Sequence, residues 1–155
     1  MKKIIFIITL FNLTISFGQN FDEIKNYEFK TIESYQTEKP KVLLFANYLF
    51  DNPASKEELN RLYAIQYIMK WMTGTPDYKF ELGKREIDLT KGNSDLLGLY
   101  MAAITKVVLE NKGDKLDSDS IYNRAEALLV NYCSDATNKM KPSRKIKKIL
   151  KSRKA

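Results

Sequence analysis

Apolar and polar residues recur along most of the chain with a spacing close to that of an α-helix. The segment that begins at Ser94 and ends near Gly113 is apolar around most of its circumference, which predicts a helix at the centre of the fold. The next segment carries one apolar stripe, which predicts a surface helix with a single buried face. That stripe consists of Ile121, Ala125, Leu128, Leu129 and Tyr132.

Two earlier helices are marked by residues that start and stop helices. Pro40 suits a first helical turn, and residues 52–53 (Asn-Pro) halt the apolar run that follows, so we predict a short helix buried on all sides. Residues 55–58 (SKEE) match a capping box, and apolar residues follow them at helical spacing until Gly74. We therefore predict a second helix that begins at this box.

Two segments have a less regular pattern. Residues 20–39 are polar with apolar residues at mixed spacing, which fits one weak helix or an irregular lead-in. Residues 77–90 contain both a strand-like alternation and a helix-like face, and we favour a short helix because a lone strand would have no partner. Together these patterns predict an all-α, single-domain bundle of about five helices.

Helices joined in series by short turns raise the question of a repeat architecture. Residues 74–78 (GTPDY) and the run from Leu82 to Leu89 resemble the turn and second helix of a tetratricopeptide repeat. No second copy aligns at a step of about 34 residues, and the small residues that let paired helices approach are missing. A simple bundle is therefore favoured, and tetratricopeptide-like helix pairs are the alternative.

The first 18 residues have the features of a secretory signal peptide. Two lysines precede an apolar stretch over residues 4–11, and residues 16–18 (Ser-Phe-Gly) place small residues before a cut at Gln19. The apolar stretch is shorter than the roughly 20 residues that span a membrane, so we favour cleavage over an uncleaved anchor. We therefore predict a bacterial protein that is periplasmic or secreted.

The composition removes several classes of chemistry. The 155 residues include no histidine and one cysteine, Cys133. This excludes His-dependent nucleophilic catalysis, His-containing zinc sites, intramolecular disulfides and four-cysteine clusters. An oxidising export compartment makes an exposed lone thiol unfavourable, so we expect Cys133 to be buried. We predict no cofactor.

Charge is segregated along the chain. The whole sequence has 26 basic and 19 acidic residues, a net charge of +7. Residues 19–138 contain 15 of the basic and all 19 acidic residues, a net of −4, whereas residues 139–155 contain nine basic residues and no acid. We therefore divide the chain into a signal peptide (1–18), a mildly acidic helical domain (19–138) and a basic C-terminal tail (139–155).

The tail has the pattern of a basic amphipathic helix. Pro142 and Ser143 suit its start, after which three apolar residues fall on one face and cations occupy the rest. Such a helix is typical of a surface that binds anionic lipid, an acidic polymer or an acidic protein; folding back onto the acidic body is the competing explanation. The predicted partner-binding residues are Arg144, Lys145, Ile146, Lys147, Lys148, Ile149, Leu150 and Lys151.

Carboxylates are the main remaining candidates for catalysis. Glycoside hydrolysis needs two carboxyl groups about 5 to 9.5 Å apart across the substrate. Glu57 and Glu58 are adjacent, so on a helix they would point about 100° apart, and Glu58 already belongs to the capping box. Other acids between residues 77 and 90 are more simply interpreted as part of a solvated helix face.

The acidic residues near the start of the last predicted domain helix begin like a calcium-binding EF-hand loop. The Gly and Glu that such a loop needs at its sixth and twelfth positions are Tyr122 and Leu128 in this chain. We therefore interpret these acids as the cap and first turn of the following helix; they are Asp114, Asp117 and Asp119.

Three aromatic residues, Tyr63, Tyr67 and Trp71, repeat every four positions and would lie in a row along one helix. An exposed row would form a platform for sugar rings or peptides. We favour burial against neighbouring helices, because large aromatic side chains mostly lie in protein interiors.

These features predict an exported helical protein that works by binding rather than by catalysis. Its basic tail would contact an anionic envelope lipid, a cell-wall polymer or an acidic protein, including peripheral contact with a membrane. Nucleic acid is not expected as a partner because of the export signal. The alternative is a small carboxylate-dependent hydrolase of envelope glycans, with candidate residues Glu81, Glu86, Asp88, Trp71 and Tyr78.

We expect the mature protein to begin at Gln19, because the small residues before it suit signal peptidase cleavage. N-terminal sequencing or intact-mass measurement of material purified from its native host checks this. A native chain that keeps residues 1–18 and resides inside the cytoplasm would contradict the export prediction.

Overall fold

The computed structural model describes residues 18–55, 58–113 and 115–153. Within these ranges every regular element is helical, which confirms the all-α prediction. The elements are α1 (Gly18–Lys25), α2 (Ile32–Thr37), α3 (Lys39–Asp51), α4 (Leu59–Gly74), α5 (Lys84–Thr90), α6 (Ser94–Glu110), α7 (Ser118–Ser134) and α8 (Arg144–Ser152), with a 3₁₀ turn at Ala136–Asn138. Apart from Gly18, the predicted signal peptide lies outside the described residues.

The described helices outnumber the five or so that the sequence predicts, because the weak segment at 20–39 contains two short helices and the basic tail adds a third. Thr31 starts α2 through a capping box, in which its hydroxyl oxygen accepts from the backbone N–H of Ser34 at 3.3 Å. Between residues 77 and 90, α5 occupies Lys84–Thr90, as favoured, whereas residues 77–83 are not helical.

Helix α6 is the centre of the fold, as predicted. Its buried residues point in all directions, and it packs against α3, α4, α5 and α7. The N-cap is Asn93 rather than Ser94, because the Asn93 side chain accepts from the backbone N–H of Asp95 at 3.0 Å. Thr105 is fully buried although its position on the helix predicts an outward side chain. Neighbouring helices therefore cover even this polar residue in the middle of α6, whereas Ser94, Asp95 and Glu110 at its ends are exposed.

Helices α4 and α6 approach closely at Gly98. A Cβ atom at this position would lie 2.9 Å from two carbons of Ile65, closer than van der Waals contact allows. A glycine at this point lets the backbone of α6 approach the side chains of α4, and this crossing forms one wall of the core.

Helix α3 begins with Pro40 in its first turn and ends before the Asn-Pro pair at 52–53, which confirms both predicted boundaries. The prediction that it is buried on all sides is wrong, because its core residues lie on one face and Leu44 is exposed. Its buried residues are Val42, Phe45, Ala46 and Leu49.

Helix α4 begins at Leu59, and the capping box predicted over residues 55–58 is wrong for the two residues of it that the structure describes, Ser55 and Glu58. Glu58 occupies the N-cap position without a side-chain bond to the helix amides. Its carboxylate instead accepts a hydrogen bond from the Tyr48 hydroxyl on α3. A contact with another helix has therefore replaced the local cap, and Lys56 and Glu57 lie outside the described residues.

Helix α7 buries the face that its stripe predicts. Ala125, Leu129 and Tyr132 are buried, and Ile121 and Leu128 are half-buried against the core. Cys133, which borders the stripe, is buried as expected.

Helix α8 docks on α5 and α7 through the apolar face of the basic tail. Ile146 is fully buried, and Ile149 and Leu150 are half-buried against the core. Met140 and Ser143, which precede the helix, are also buried. The last helix of the chain is therefore held to the body by the same hydrophobic burial that holds the body together.

We expect Ile146→Ala to lower the free energy of unfolding by about 2–4 kcal/mol, because it leaves a cavity between α8, α5 and α7. Lys147→Ala is the matched control: its side chain is exposed, and a change within about 0.5 kcal/mol is expected. Urea unfolding followed by circular dichroism measures both. Equal stability of the two variants would mean that α8 does not contribute to the core.

Candidate functional site

The outward side of α8 is a cationic surface. Ser143 starts the helix by accepting from the backbone N–H of Ile146 at 3.1 Å, and this register turns the apolar residues inward. Five cations are thereby left exposed on one short helix. We call them the α8 cationic face: Arg144, Lys145, Lys147, Lys148 and Lys151.

Within the described residues, none of the five cations of this face forms an ion pair. Beyond them, Arg153 donates to the side-chain oxygen of Asn131 on α7 at 2.8 Å, which is a neutral contact. The charges of α8 are therefore not consumed by the acidic body on which the helix lies.

The charge of α8 acts on an acid of α5. The pKa of Asp88 is lowered, chiefly by its hydrogen bond from Lys84 at 2.9 Å and further by the charges of Lys91 and Lys145. An acid on α5 is thus surrounded by cations from its own helix and from α8.

The structure separates the two halves of the predicted contact surface. The five cations face solvent, whereas Ile146, Ile149 and Leu150 face the core. An apolar helix face that is packed against its own protein is not free to insert into a bilayer. The part of the predicted site that a partner can reach is its charge.

A second basic feature, which sequence patterns did not reveal, lies between the starts of α4 and α6. It is a cleft of about 350 Å³. Arg61 of α4 lines it and is only 6% exposed. One terminal nitrogen of Arg61 donates to the backbone carbonyls of Leu49 at 3.1 Å and Asn52 at 3.0 Å. A lone arginine in a helical run is normally exposed, so only the fold shows that this one is buried.

Two of the carboxylates proposed for hydrolysis, those of Glu86 and Asp88, have structural partners instead. Glu86 was expected on a solvated face, but it is 5% exposed because its carboxylate accepts from the backbone N–H of Gly83 at 2.8 Å and starts α5. Asp88 pairs with Lys84, and the backbone of Glu81 bonds the Tyr122 hydroxyl. None of these acids lines any of three clefts that the described residues form.

The aromatic partners of that hypothesis are also used elsewhere. Trp71 is fully buried and donates its indole N–H to the backbone carbonyl of Tyr35 at 3.0 Å. Tyr67 is fully buried and Tyr63 half-buried, so the favoured interpretation of the aromatic row as packing is confirmed. Tyr78 lines a separate cleft of about 310 Å³ with Lys39 and Asp77.

The acids before α7 act as a helix cap. Asp117 accepts from the backbone N–H of Ser120 at 2.7 Å, and this bond is the main cause of its lowered pKa. Asp119 lies in the first turn, as predicted, whereas Asp114 lies outside the described residues. Across the described part of the chain, no group of three or more acidic, cysteine or histidine residues is arranged to hold a metal ion.

Two further observations bear on chemistry and location. Burial raises the pKa of the Cys133 thiol to about 11, which makes it a poor nucleophile near neutral pH. Of the helices that the structure describes, none is both long enough and apolar enough to cross a membrane.

Comparison of the chain with protein-family models, with curated proteins and with solved structures finds no match in any of the three.

Proposed function

We propose that this protein is an exported, non-enzymatic binding protein that attaches to an anionic partner through the α8 cationic face. The partner is an anionic envelope lipid surface, a cell-wall polymer or an acidic protein. The observation that carries this proposal is the exposure of five cations on one docked helix, none of them ion-paired within the described residues.

Rigid docking supports an electrostatic mode of binding. Because Ile146 is held in the core, the cations of α8 lie on a fixed surface rather than on a free chain. A fixed array loses less conformational entropy when it binds than a mobile tail does. The same docking directs the attachment to the charged surface of the partner and away from its hydrocarbon interior.

The predicted export supports the choice of partner. A signal peptide ending at Gly18 would release a chain that keeps Phe21 and Ile24, the described core residues of α1. Outside the cytoplasm, phosphate-bearing lipids and acidic wall polymers are the abundant anionic surfaces. A cationic helix attracts any of these over roughly one Debye length, about 8–10 Å at physiological salt.

We expect Lys147→Gln/Lys148→Gln to weaken binding to anionic vesicles about thirtyfold in low salt. Each basic residue close to an anionic surface contributes about 1 kcal/mol, and two are removed. Glutamine favours a helix, so α8 is expected to stay folded. Co-sedimentation with phosphatidylglycerol-containing vesicles, compared with neutral vesicles and repeated in high salt, measures the effect.

The matched control is Lys79→Gln/Lys112→Gln, which changes the net charge equally. Both residues are exposed and lie near the C-terminal end of α6, where Tyr78 contacts the carbonyl of Val108 at 3.4 Å. The basic tail lies at the other end of α6, where Asn93 contacts the backbone of Lys141 at 2.9 Å. The α8 cationic face would be excluded as the contact site if both variants lost binding equally. It would also be excluded if high salt did not release the unmodified protein from anionic vesicles.

A further inference from the structure

The cleft between α4, α6 and the chain that enters α8 has the composition of a small-molecule site. Its volume of about 350 Å³ lies within the range of ligand pockets, about 300–1,000 Å³. Both apolar and cationic side chains line it. The residues that matter here are Arg61, Leu62, Ile65, Lys139 and Lys141.

Arg61 is a buried charge that forms no ion pair within the described residues. Its hydrogen bonds go to two backbone carbonyls, and burial raises the pKa of the neighbouring Tyr132 phenol, so that this group supplies no negative charge near neutral pH. Within the described residues no carboxylate forms an ion pair with it, although Glu58 lines the same cleft. A guanidinium stays ionised at any ordinary pH, and burying it without an anion is unfavourable. An anionic group in the cleft would supply that counter-charge.

Two lysines add to the positive side of the cleft. Lys139 has a left-handed backbone, with a φ of 54°, and is the one described residue other than glycine with a positive φ. This conformation costs energy for a lysine, and here it turns the chain at the cleft. Lys141 is held on the same side, because its backbone carbonyl accepts from the Asn93 side chain at 2.9 Å.

The apolar wall comes from α4. Leu62 is 47% exposed and Ile65 is half-buried beside Gly98, and both line the cleft. Leu59 and Met69 extend the exposed apolar surface along the same helix. A ligand that used only the cations would leave this wall in water.

The acids of the cleft do not cancel its positive charge. Glu58 already accepts from the Tyr48 hydroxyl, and Asp95 lies exposed in the first turn of α6. Against these two negative charges stand Arg61, Lys139 and Lys141. The balance favours a ligand with one anionic group.

We infer that this cleft binds a small amphiphilic anion, a phosphate or carboxylate head group on an alkyl chain. The head group would lie between Arg61 and the two lysines, and the chain would cover Leu62 and Ile65. This site does not depend on the α8 cationic face, because different side chains form it.

Octyl phosphate, below its micelle concentration, is the probe, with octanoate, octanol and inorganic phosphate as comparisons. We expect octyl phosphate to shift the Arg61 side-chain N–H signal in NMR titrations and to bind at least tenfold more tightly than inorganic phosphate or octanol. Octanoate distinguishes a carboxylate from a phosphate preference.

Lys139→Asn/Lys141→Gln should weaken octyl phosphate binding about thirtyfold, since each charge at about 4 Å contributes roughly 1 kcal/mol. Asparagine tolerates the left-handed backbone, so this variant should stay folded.

Two further variants separate the contributions. Leu62→Gln should weaken octyl phosphate several-fold and leave inorganic phosphate unchanged, because only the alkyl chain contacts that wall. Lys147→Gln/Lys148→Gln, which tests the α8 cationic face, should bind octyl phosphate as the unmodified protein does. Equal affinity for octyl phosphate and inorganic phosphate, an unmoved Arg61 signal, or full affinity in the Lys139 and Lys141 variant would each overturn the inference.

Discussion

The burial of α6 on every side is the constraint on which the rest of the fold depends. A helix without a solvated face must be enclosed, and α3, α4, α5 and α7 enclose it. Each enclosing helix then needs only one apolar face and can direct its other faces outward. At Gly98 the enclosure is so close that a methyl group would collide with Ile65. The outer faces of these four helices form part of the polar surface, and α8 adds its cationic face by packing on two of them, α5 and α7.

The sequence was most informative where a structure depends on nearby residues. The Ser143 and Asp117 caps, the Pro40 start, the stripe of α7 and the apolar circumference of α6 are all local patterns, and they agree with the structure. The capping box at 55–58 failed because the Tyr48 hydroxyl, from another helix, uses the Glu58 carboxylate. No spacing rule along one helix contains that contact.

The candidate sites divide in the same way. The cations of α8 could be assigned to one surface from the sequence, because charge and apolar spacing within nine residues define it. The buried state of Arg61 could not be predicted from the sequence. Its hydrogen bonds go to the backbone carbonyls of Leu49 and Asn52 at the end of α3, a different helix from its own. Glu86 was misplaced for a different reason: its carboxylate accepts from the backbone N–H of Gly83, three residues earlier, and this local cap was overlooked in favour of a solvated helix face. Buried polar residues are decided by their hydrogen-bond partners, and for Arg61 the fold supplies those partners.

The docking of α8 is apolar rather than electrostatic, and this difference shapes what the helix can do. A net of +9 on residues 139–155 faces a body of net −4, so attraction alone would favour a tail that pairs its charges with the body. The described contacts instead place Ile146 in the core and leave the five outward cations without ion pairs. Hydrophobic burial holds the helix in place without using its charge. The positive charge of α8 therefore stays exposed to solvent, and the range of its field depends on the salt around the protein rather than on the stability of the fold.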